Sequence, residues 1–405
     1  MSATRVLLHV GTPKTGTTHL QDVLFRNREL LATHDIHYLA DRHDAHFLAA
    51  LDLMQLTWGG LQIEAVGAWD RLAKDVRRAG GTAIISHEIL AHASKAHVAR
   101  ALESLGHGDG TEIHLVLSAR DLARQIPAEW QENVKHRSTS SYAKFLKLIQ
   151  DPDRSGRIAS WFWAVQELPD ILDRWGHDLP PEHVHVVTVP TTLEEPDLLW
   201  NRFARVLGLD GLGLELHAER ANPSLGVPET ALVRRINRSV NKVLPPADYR
   251  PLVRELLAHQ TLSARTKSPR LALPPAVYPW VEELSASWVA ELGRRGYDVV
   301  GDLDELMPGP PVASYTDPDA PRERQVAQAA LDAIKALLLD NARLRHEQDR
   351  LEHELQVANS ALGRAHLLPS YQLRQKLVRR LEAAGVGRAL LAGYRRARGR
   401  SSRSA

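Results

Sequence analysis

The sequence contains no cysteine, so it can form neither disulfide bonds nor zinc sites with thiolate ligands. A chain without disulfides suits a reducing compartment. No apolar run approaches the roughly 18 residues that a membrane-spanning helix needs. The first strand is expected within about five residues of the start, which leaves no room for a signal peptide. These absences favour a cytoplasmic protein.

The sequence also lacks a strong excess of charge of either sign. Its 51 basic and 49 acidic side chains give a net charge of +2 over 405 residues. This balance argues against nucleic acid as a partner of the whole chain. At this length the chain can bury one large domain or two ordinary ones.

The chain begins with an apolar segment, Arg5–Val10, followed by a loop with two glycines and then by leucines and a valine at helical spacing as far as Leu31. This order predicts a buried strand, a turn and a helix. Backbone N–H groups in such a turn point into one concavity, and the helix dipole adds positive potential there. We therefore predict a phosphate-binding turn.

The position of one lysine distinguishes this turn from a triphosphate-binding loop, G-x-x-x-x-G-K-[ST]. Gly11 and Gly16 keep the spacing of that motif, but Thr17 stands where its lysine belongs, and Lys14 lies inside the loop. A lysine in the bend can reach the bridging oxygen between a 5′-phosphate and a group that leaves on the other side.

The segment P-K-T-G-T-T resembles the 5′-phosphosulfate loop of sulfotransferases, which use 3′-phosphoadenosine 5′-phosphosulfate (PAPS) as the sulfuryl donor. The resemblance implies that the loop binds PAPS, that Lys14 stabilises the leaving phosphate, and that the reaction requires no metal. The expected donor-binding residues of the loop are Thr12, Pro13, Lys14, Thr15, Gly16, Thr17 and Thr18.

Candidates for the general base follow a second predicted strand, residues 82–85. Polar groups at the carboxyl end of a buried parallel strand lie at the edge where doubly wound sheets bind ligands. In sulfotransferases of small hydroxyl acceptors, a histidine in the similar position takes the acceptor proton, whereas relatives that act on sugars often use glutamate. We rank His87 first because imidazole titrates near neutral pH, then Glu88, then His46.

The next predicted strand, residues 112–117, leads to Arg120. In sulfotransferases a strand-end arginine and a serine eight residues later bind the 3′-phosphate of PAPS. Arg120 matches the arginine, but Ala128 replaces the serine, so another group must serve. The nearby candidates are Ser118, Arg124 and Gln125. A later loop with Arg220, Asn222 and Ser224 is similar to the one that closes over this phosphate.

These segments, with further strands expected at residues 36–39, 183–188 and 297–300, predict an α/β fold with a parallel sheet flanked by helices. The resemblance extends this sulfotransferase domain over residues 1–306. The aromatic residues between positions 142 and 175 are expected in the core rather than in the wall of an acceptor pocket.

The remainder of the chain differs in composition. Residues 307–321 form a proline-rich linker, and residues 322–362 carry a heptad seam. The seam favours a coiled-coil helix that forms a homodimer, and the alternative is a helix that packs on the body of its own chain. The tail, residues 363–405, holds ten arginines and one lysine against Glu382 alone, a net charge of +10. This tail suits contact with an anionic membrane surface more than with nucleic acid.

Two classes of function follow. The first is a PAPS-dependent sulfotransferase whose acceptor is a hydroxyl or amine of a small molecule, glycan or glycolipid. The alternatives are a P-loop-like nucleotide kinase and a non-catalytic nucleotide-binding scaffold that acts through the coiled coil. A kinase normally needs Mg²⁺ and a lysine after the second glycine, which this loop lacks.

Overall fold

The computed structural model describes residues 4–191, 195, 197–217 and 224–367, and the isolated positions 369, 373, 376–378 and 380. The fold is α/β, with a six-stranded, entirely parallel sheet flanked by helices. The strands are β1 (Thr4–His9), β2 (Ile36–His37), β3 (Thr82–Ser86), β4 (Thr111–Ala119), β5 (Val184–Thr188) and β6 (Asp298–Val300). All six lie where the sequence predicted strands.

The α-helices are α1 (Thr17–Arg26), α2 (Arg28–Ala32), α3 (Ala45–Met54), α4 (Gln62–Ala65), α5 (Ala68–Ala79), α6 (Lys95–Leu105), α7 (Leu122–Lys135), α8 (Tyr142–Ile149), α9 (Gly156–Gln166), α10 (Leu168–Trp175), α11 (Leu198–Leu207), α12 (Val227–Val240), α13 (Pro246–Tyr249), α14 (Tyr278–Arg294) and α15 (Glu323–Leu367). A π-helix, Arg250–Thr261, follows α13. Short 3-10 helices lie at Glu88–His92, Pro181–His183, Leu262–Ala264, Pro275–Val277 and Leu303–Leu306.

The strand order is β2-β3-β1-β4-β5-β6, so β1 lies between β3 and β4. After β1 the chain completes one side of the sheet with β2 and β3 and then the other side with β4, β5 and β6, which makes the carboxyl end of β1 the switch point of the sheet. Alternate residues of β1 enter two cores: Val6 and Leu8 face one, and Leu7 faces the other. The loop after β1 is therefore held by a strand that is buried on both faces.

The compact body of the chain extends beyond the predicted domain. The structure divides the chain between Ala333 and Ile334, so the proline-rich segment and the first turns of α15 belong to the first unit. The Asp319 carboxylate accepts hydrogen bonds from the N–H groups of Tyr142 (3.1 Å) and Ala143 (2.9 Å) and pairs with Arg234. The proline-rich segment thus packs on the body through a carboxylate that caps α8.

The second unit begins within α15. Several apolar side chains of the predicted heptad seam, including Ile334, Leu344 and Leu351, are about half exposed in the single chain. The predicted dimer would cover them, and it stays a prediction. No helix in the described ranges combines the length and the apolar character that crossing a bilayer requires.

Candidate active site

The loop between β1 and α1 is anchored to β4 at the carboxyl edge of the sheet. The Thr12 N–H donates to the Ser118 carbonyl at 2.7 Å, and the Ser118 hydroxyl donates to the Gly11 carbonyl at 2.8 Å. The Thr15 hydroxyl lies 2.6 Å from the Ser118 hydroxyl. Thr12, Thr15 and Ser118 are all buried, and these bonds of their side chains support the loop.

A buried histidine, His9, extends this support to β3. Its Nδ1 lies 2.8 Å from the Ser86 hydroxyl, and its Nε2 lies 3.1 Å from the Ser118 hydroxyl. Burial lowers the pKa of His9 to about 4. The ring is therefore neutral at pH 7, with one nitrogen donating and the other accepting. The ends of β1, β3 and β4 are joined beneath the loop by this one side chain.

The second half of the loop presents backbone donors. Within the described part of the chain, no hydrogen-bond acceptor is found for the N–H groups of residues 14–18. Gly16, which has a φ of 88°, immediately precedes α1, so the positive end of the helix dipole lies among these donors. Successive free N–H groups at a helix start form a site for an anion.

Lys14 extends from the bend towards α7. Its Nζ lies 2.8 Å from the Glu132 carboxylate, and both side chains are largely buried. His136 and Arg254 also contact this carboxylate, at 3.2 and 3.4 Å. Burial raises the pKa of Glu132, but Lys14 and a hydrogen bond from His136 outweigh it and hold that pKa well below its usual 4.5. The Lys14 ammonium is thus paired with an anionic carboxylate of α7.

Arg120 lies behind the bend. One of its terminal nitrogens donates to the Lys14 carbonyl at 3.2 Å, and its Nε is buried without a partner. Among the described residues it forms no ion pair with a carboxylate, since Asp121 pairs with Arg124 instead. Burial, with help from the charge of Arg124, lowers the pKa of Arg120 to about 10. The charge of Asp121 opposes this change in pKa. A buried guanidinium without an ion-pair partner is suited to an anionic ligand.

The three groups that the sequence offered in place of the missing serine at Ala128 all bond within the protein. Ser118 supports the loop as described above. Arg124 donates to the carbonyls of Val189 (3.2 Å) and Pro190 (2.9 Å). Gln125 donates to the carbonyls of Pro13 and of the Gln166 side chain. Arg220 and Asn222 lie outside the described residues.

His87 and Glu88 lie beside the loop at the end of β3. The Glu88 carboxylate accepts from Gln21 of α1 at 2.9 Å and lies 3.9 Å from the His87 Nδ1. Burial raises the pKa of Glu88, but the charge of His87 and hydrogen bonds from Gln21 and Thr17 hold it below its usual 4.5. Burial lowers the pKa of His87 below 6.5, although the charge of Glu88 opposes this. At neutral pH, His87 is therefore uncharged and Glu88 is an anion.

The ring of His87 has a definite orientation. Its Nδ1 accepts a 3.3 Å hydrogen bond from the Ile89 N–H, so in this arrangement the ring proton lies on Nε2. For Nε2 to accept a proton, the ring proton must move to Nδ1, the atom that faces the Glu88 carboxylate. The Glu88 carboxylate, 3.9 Å away, would stabilise a proton on Nδ1 through its charge.

His46, the third base candidate, is buried beneath this edge. Its Nδ1 accepts from the Ser86 N–H at 3.3 Å, and its Nε2 lies 3.2 Å from the Leu39 carbonyl. Burial lowers its pKa to about 4. Both ring nitrogens are engaged with the backbone, so the geometry favours His87 and Glu88 over His46 for the base.

Aromatic side chains lie between the loop lysine, Lys14, and the candidate base, His87. The ring of Phe47 stacks on His87 with centroids 4.9 Å apart and contacts Trp58 at 5.8 Å. Trp58 in turn contacts Trp161 at 5.8 Å and His136 at 5.4 Å. A continuous series of contacts therefore joins the loop lysine to the candidate base, through Lys14, Glu132, His136, Trp58, Phe47 and His87.

Phe47, Trp58 and Trp161 form an aromatic wall, and part of this wall was not predicted from the sequence. Most aromatic residues between positions 142 and 175, such as Phe145, Phe162 and Trp175, lie in the core as expected. Trp161 is half-buried and joins the wall instead. Its signal would have been the break in amphipathic spacing where three aromatic residues follow one another, because a helix cannot bury three consecutive side chains on one face.

A second feature that was not predicted from the sequence is the polar face of α7. Gln125, Glu129 and Glu132 are spaced by four and three residues and so share one face of the helix. Gln125 and Glu129 are buried, and the Gln166 amide lies 2.8 Å from Gln125 and 3.4 Å from Glu129. Burial, together with the charge of Glu132, raises the pKa of Glu129 to about 7. This polar face could have been found from the sequence, because polar residues after Arg120 occupy the helical spacing that core residues normally take.

A scan against protein-family models, a search of curated proteins and a search of solved structures each found no match for this chain.

Glu129 should make the stability of the protein depend on pH. Its pKa in the folded protein lies above its ordinary value, so its contribution is complete below about pH 4.5 and is lost as the pH rises through 7. Relative to Glu129→Gln, the wild-type protein should lose about 2.5 kcal/mol of unfolding free energy between pH 5 and pH 8. Urea unfolding at both pH values measures this difference. Glu282→Gln, at an exposed position of α14, should show no such change; a Glu129→Gln variant that follows the wild type would contradict a buried, neutral carboxyl.

Proposed function

We propose that this protein is a PAPS-dependent sulfotransferase that transfers a sulfuryl group to a hydroxyl or amine of a small molecule, glycan or lipid. The observation that carries the proposal is the position of Lys14. It lies in the bend of the strand-loop-helix turn, and its ammonium is paired with the Glu132 carboxylate, an anion that a donor oxygen could replace. A lysine there can contact the oxygen that links phosphate to a leaving or transferring group.

The donor site in this proposal is the phosphosulfate loop. The free N–H groups of residues 14–18 and the start of α1 would bind the 5′-phosphosulfate. Arg120, which has no carboxylate partner among the described residues, would bind the 3′-phosphate. Lys14 would exchange the Glu132 carboxylate for the bridging oxygen of the donor.

The reaction in this proposal is a direct, in-line transfer. The proton of the acceptor hydroxyl passes to His87, and the acceptor oxygen forms a bond to sulfur. The bond between sulfur and the bridging oxygen breaks, and its electron pair stays on the 5′-phosphate of adenosine 3′,5′-bisphosphate. Lys14 balances the charge that grows on that oxygen, while Glu88 stabilises the protonated imidazole.

The acceptor would lie against the aromatic wall. Phe47, Trp58 and Trp161 present ring surfaces between His87 and Lys14, which suits the apolar face of a sugar or an aromatic ring. The proposal also includes a homodimer through the seam of α15. It further includes contact of the basic tail with an anionic membrane surface, which would hold the protein peripherally at the membrane.

Replacement of Lys14 tests the chemical role of the loop. Lys14→Ala should lower turnover by about 10² or more, as for other lost charge-stabilising donors at a reacting centre, with less effect on donor affinity. Turnover is measured as adenosine 3′,5′-bisphosphate released from PAPS with a panel of phenols, sugars and amines. Lys147→Ala, at an exposed position of α8, is the matched control. Turnover near that of the wild type would remove Lys14 from the reacting centre.

Replacement of Arg120 tests the 3′-phosphate site. Arg120→Ala should weaken binding of adenosine 3′,5′-bisphosphate by about 2 kcal/mol, or roughly 30-fold, because a charge-assisted contact is lost. Binding of adenosine 5′-phosphate, which lacks the 3′-phosphate, should hardly change. Calorimetry with the two nucleotides makes the comparison; equal losses would indicate a structural role for Arg120.

Replacement of His87 tests the general base. His87→Ala should retain nucleotide binding and lose about 10² to 10⁴ in turnover. In the wild type, kcat/KM should rise with pH and level off below pH 6.5, because burial lowers the pKa of His87. Glu88→Gln should also lower turnover, but by less than His87→Ala does, because Glu88 only stabilises the protonated imidazole. If His87→Ala is active and Glu88→Gln is not, the base is the carboxylate and a sugar-type acceptor is favoured.

A further inference from the structure

A second cluster of ionisable side chains lies at the opposite edge of the sheet, where β4, β5 and β6 begin. Glu112 and His114 alternate along β4 and therefore share one face, and His185 of β5 lies on the same face. Asp298 of β6 is the register partner of His185. Parallel pairing thus collects four such groups on one face of three neighbouring strands, and His183, which ends the 3-10 helix just before β5, lies against His114.

Three close contacts connect four of these groups in a line. The Glu112 Oε1 lies 2.5 Å from the His114 Nε2. The His114 Nδ1 lies 2.8 Å from the His185 Nε2, and the His185 Nδ1 lies 2.7 Å from the Asp298 carboxylate. His114 is buried, whereas Glu112 is exposed and His183 is half-buried.

The number of protons in this line decides what can join Glu112 to the His114 Nε2. Asp298 accepts from the His185 Nδ1, which leaves the His185 Nε2 to accept from the His114 Nδ1. Each neutral ring carries one proton, so the His114 Nε2 is left with a lone pair that points at the Glu112 carboxylate. Two acceptors at 2.5 Å need a cation between them, which is either a further proton or a metal ion.

The third imidazole favours the metal ion. The ring of His183 stacks on His114 with centroids 4.2 Å apart, so it must turn away from this stack before its nitrogen and that of His114 can point at one ion. One possible ligand atom from each of Glu112, His114 and His183 lies within 4.8 Å of the other two. A bridging proton would need only Glu112 and His114, whereas a metal ion would use all three side chains.

We propose that Glu112, His114 and His183 bind a divalent transition-metal ion of the zinc class. Two imidazoles and one carboxylate, with a fourth position open to water, are a common zinc ligand set. His114 would bind through Nε2 while its Nδ1–H donates to His185, which is held by Asp298. This is the arrangement in which a second shell ending in a carboxylate orients a ligating histidine.

The exposed side chain of Glu112 gives the site the freedom it needs. Two ligands of one tetrahedral zinc ion lie about 3.3 Å apart, given bonds of about 2.0 to 2.2 Å, so Glu112 must withdraw by less than about 1 Å. The guanidinium of Arg5, 3.5 Å from the same carboxylate and about half exposed, is the other cation nearby. An exposed pair of this kind contributes little, so it does not hold Glu112 against this movement.

The site would fasten the starts of β4 and β5 and would be independent of the loop chemistry at the other edge. Metal binding to the folded protein alone should therefore raise its melting temperature. The full-length chain, stripped with EDTA and dialysed, is titrated calorimetrically with ZnCl₂ and, separately, with CoCl₂ while the visible absorption of tetrahedral Co²⁺ is recorded. We expect one saturable site per chain and a higher melting temperature when it is filled.

Two variants at accessible positions test the ligands without emptying the core. Glu112→Gln and His183→Ala should keep the circular dichroism of the wild type and weaken Zn²⁺ binding by at least about 10-fold each. His353→Ala, at an exposed histidine of α15 outside the cluster, should bind as the wild type does. Absence of a saturable site, or equal affinities for the wild type and both ligand variants, would overturn the proposal and leave a shared proton as the cation.

Discussion

The candidate active site depends on the buried hydrogen bonds around His9. This one neutral imidazole ties Ser86 of β3 to Ser118 of β4, and Ser118 in turn holds the loop through Gly11 and Thr15. Leaving any of these groups unpaired in so buried a place would cost about 1 to 3 kcal/mol. The loop is therefore held in a fixed conformation by the sheet, and its backbone donors need no rearrangement to meet an anion.

The same constraint explains why the site groups lie together. Parallel pairing of β1 with β3 and β4 brings three strand ends to one edge. Three separate segments of sequence, one after each of these strands, supply the loop, the His87–Glu88 pair and Arg120. The helix that leaves β4 supplies the fourth component, because α7 carries Glu132 and Glu129 back towards Lys14. Charge of opposite sign thus meets in front of the loop.

Much of this architecture could be predicted because it rests on local signals. Buried strands appear in the sequence as runs of β-branched and aliphatic residues, and the positions of polar groups just after them mark the ligand-binding edge. The roles of individual side chains could not be predicted in the same way. Ser118 was expected near the 3′-phosphate, yet its hydroxyl is used within the loop. His46 could bond to two backbone groups only because β2 and β3 are neighbours, a tertiary fact absent from local sequence.

The end of the body was likewise set by tertiary contacts. Prolines indicated a linker between residues 307 and 321, but Asp319 caps α8 and the early turns of α15 bury Val326 and Ala329. The wall between Lys14 and His87 shows the same limit, since Phe47, Trp58 and Trp161 come from three distant segments. No spacing rule connects them, and only the packing of their rings does.

The central claim is that the loop after β1 binds an adenosine 5′-phosphosulfate donor rather than a triphosphate. The most direct measurement is a calorimetric titration of the full-length protein with adenosine 3′,5′-bisphosphate in the presence of EDTA, compared with a titration with ATP and Mg²⁺. The account predicts tight, metal-independent binding of the bisphosphate, one molecule per chain. Preferential binding of Mg·ATP, or no binding of the bisphosphate, would contradict it.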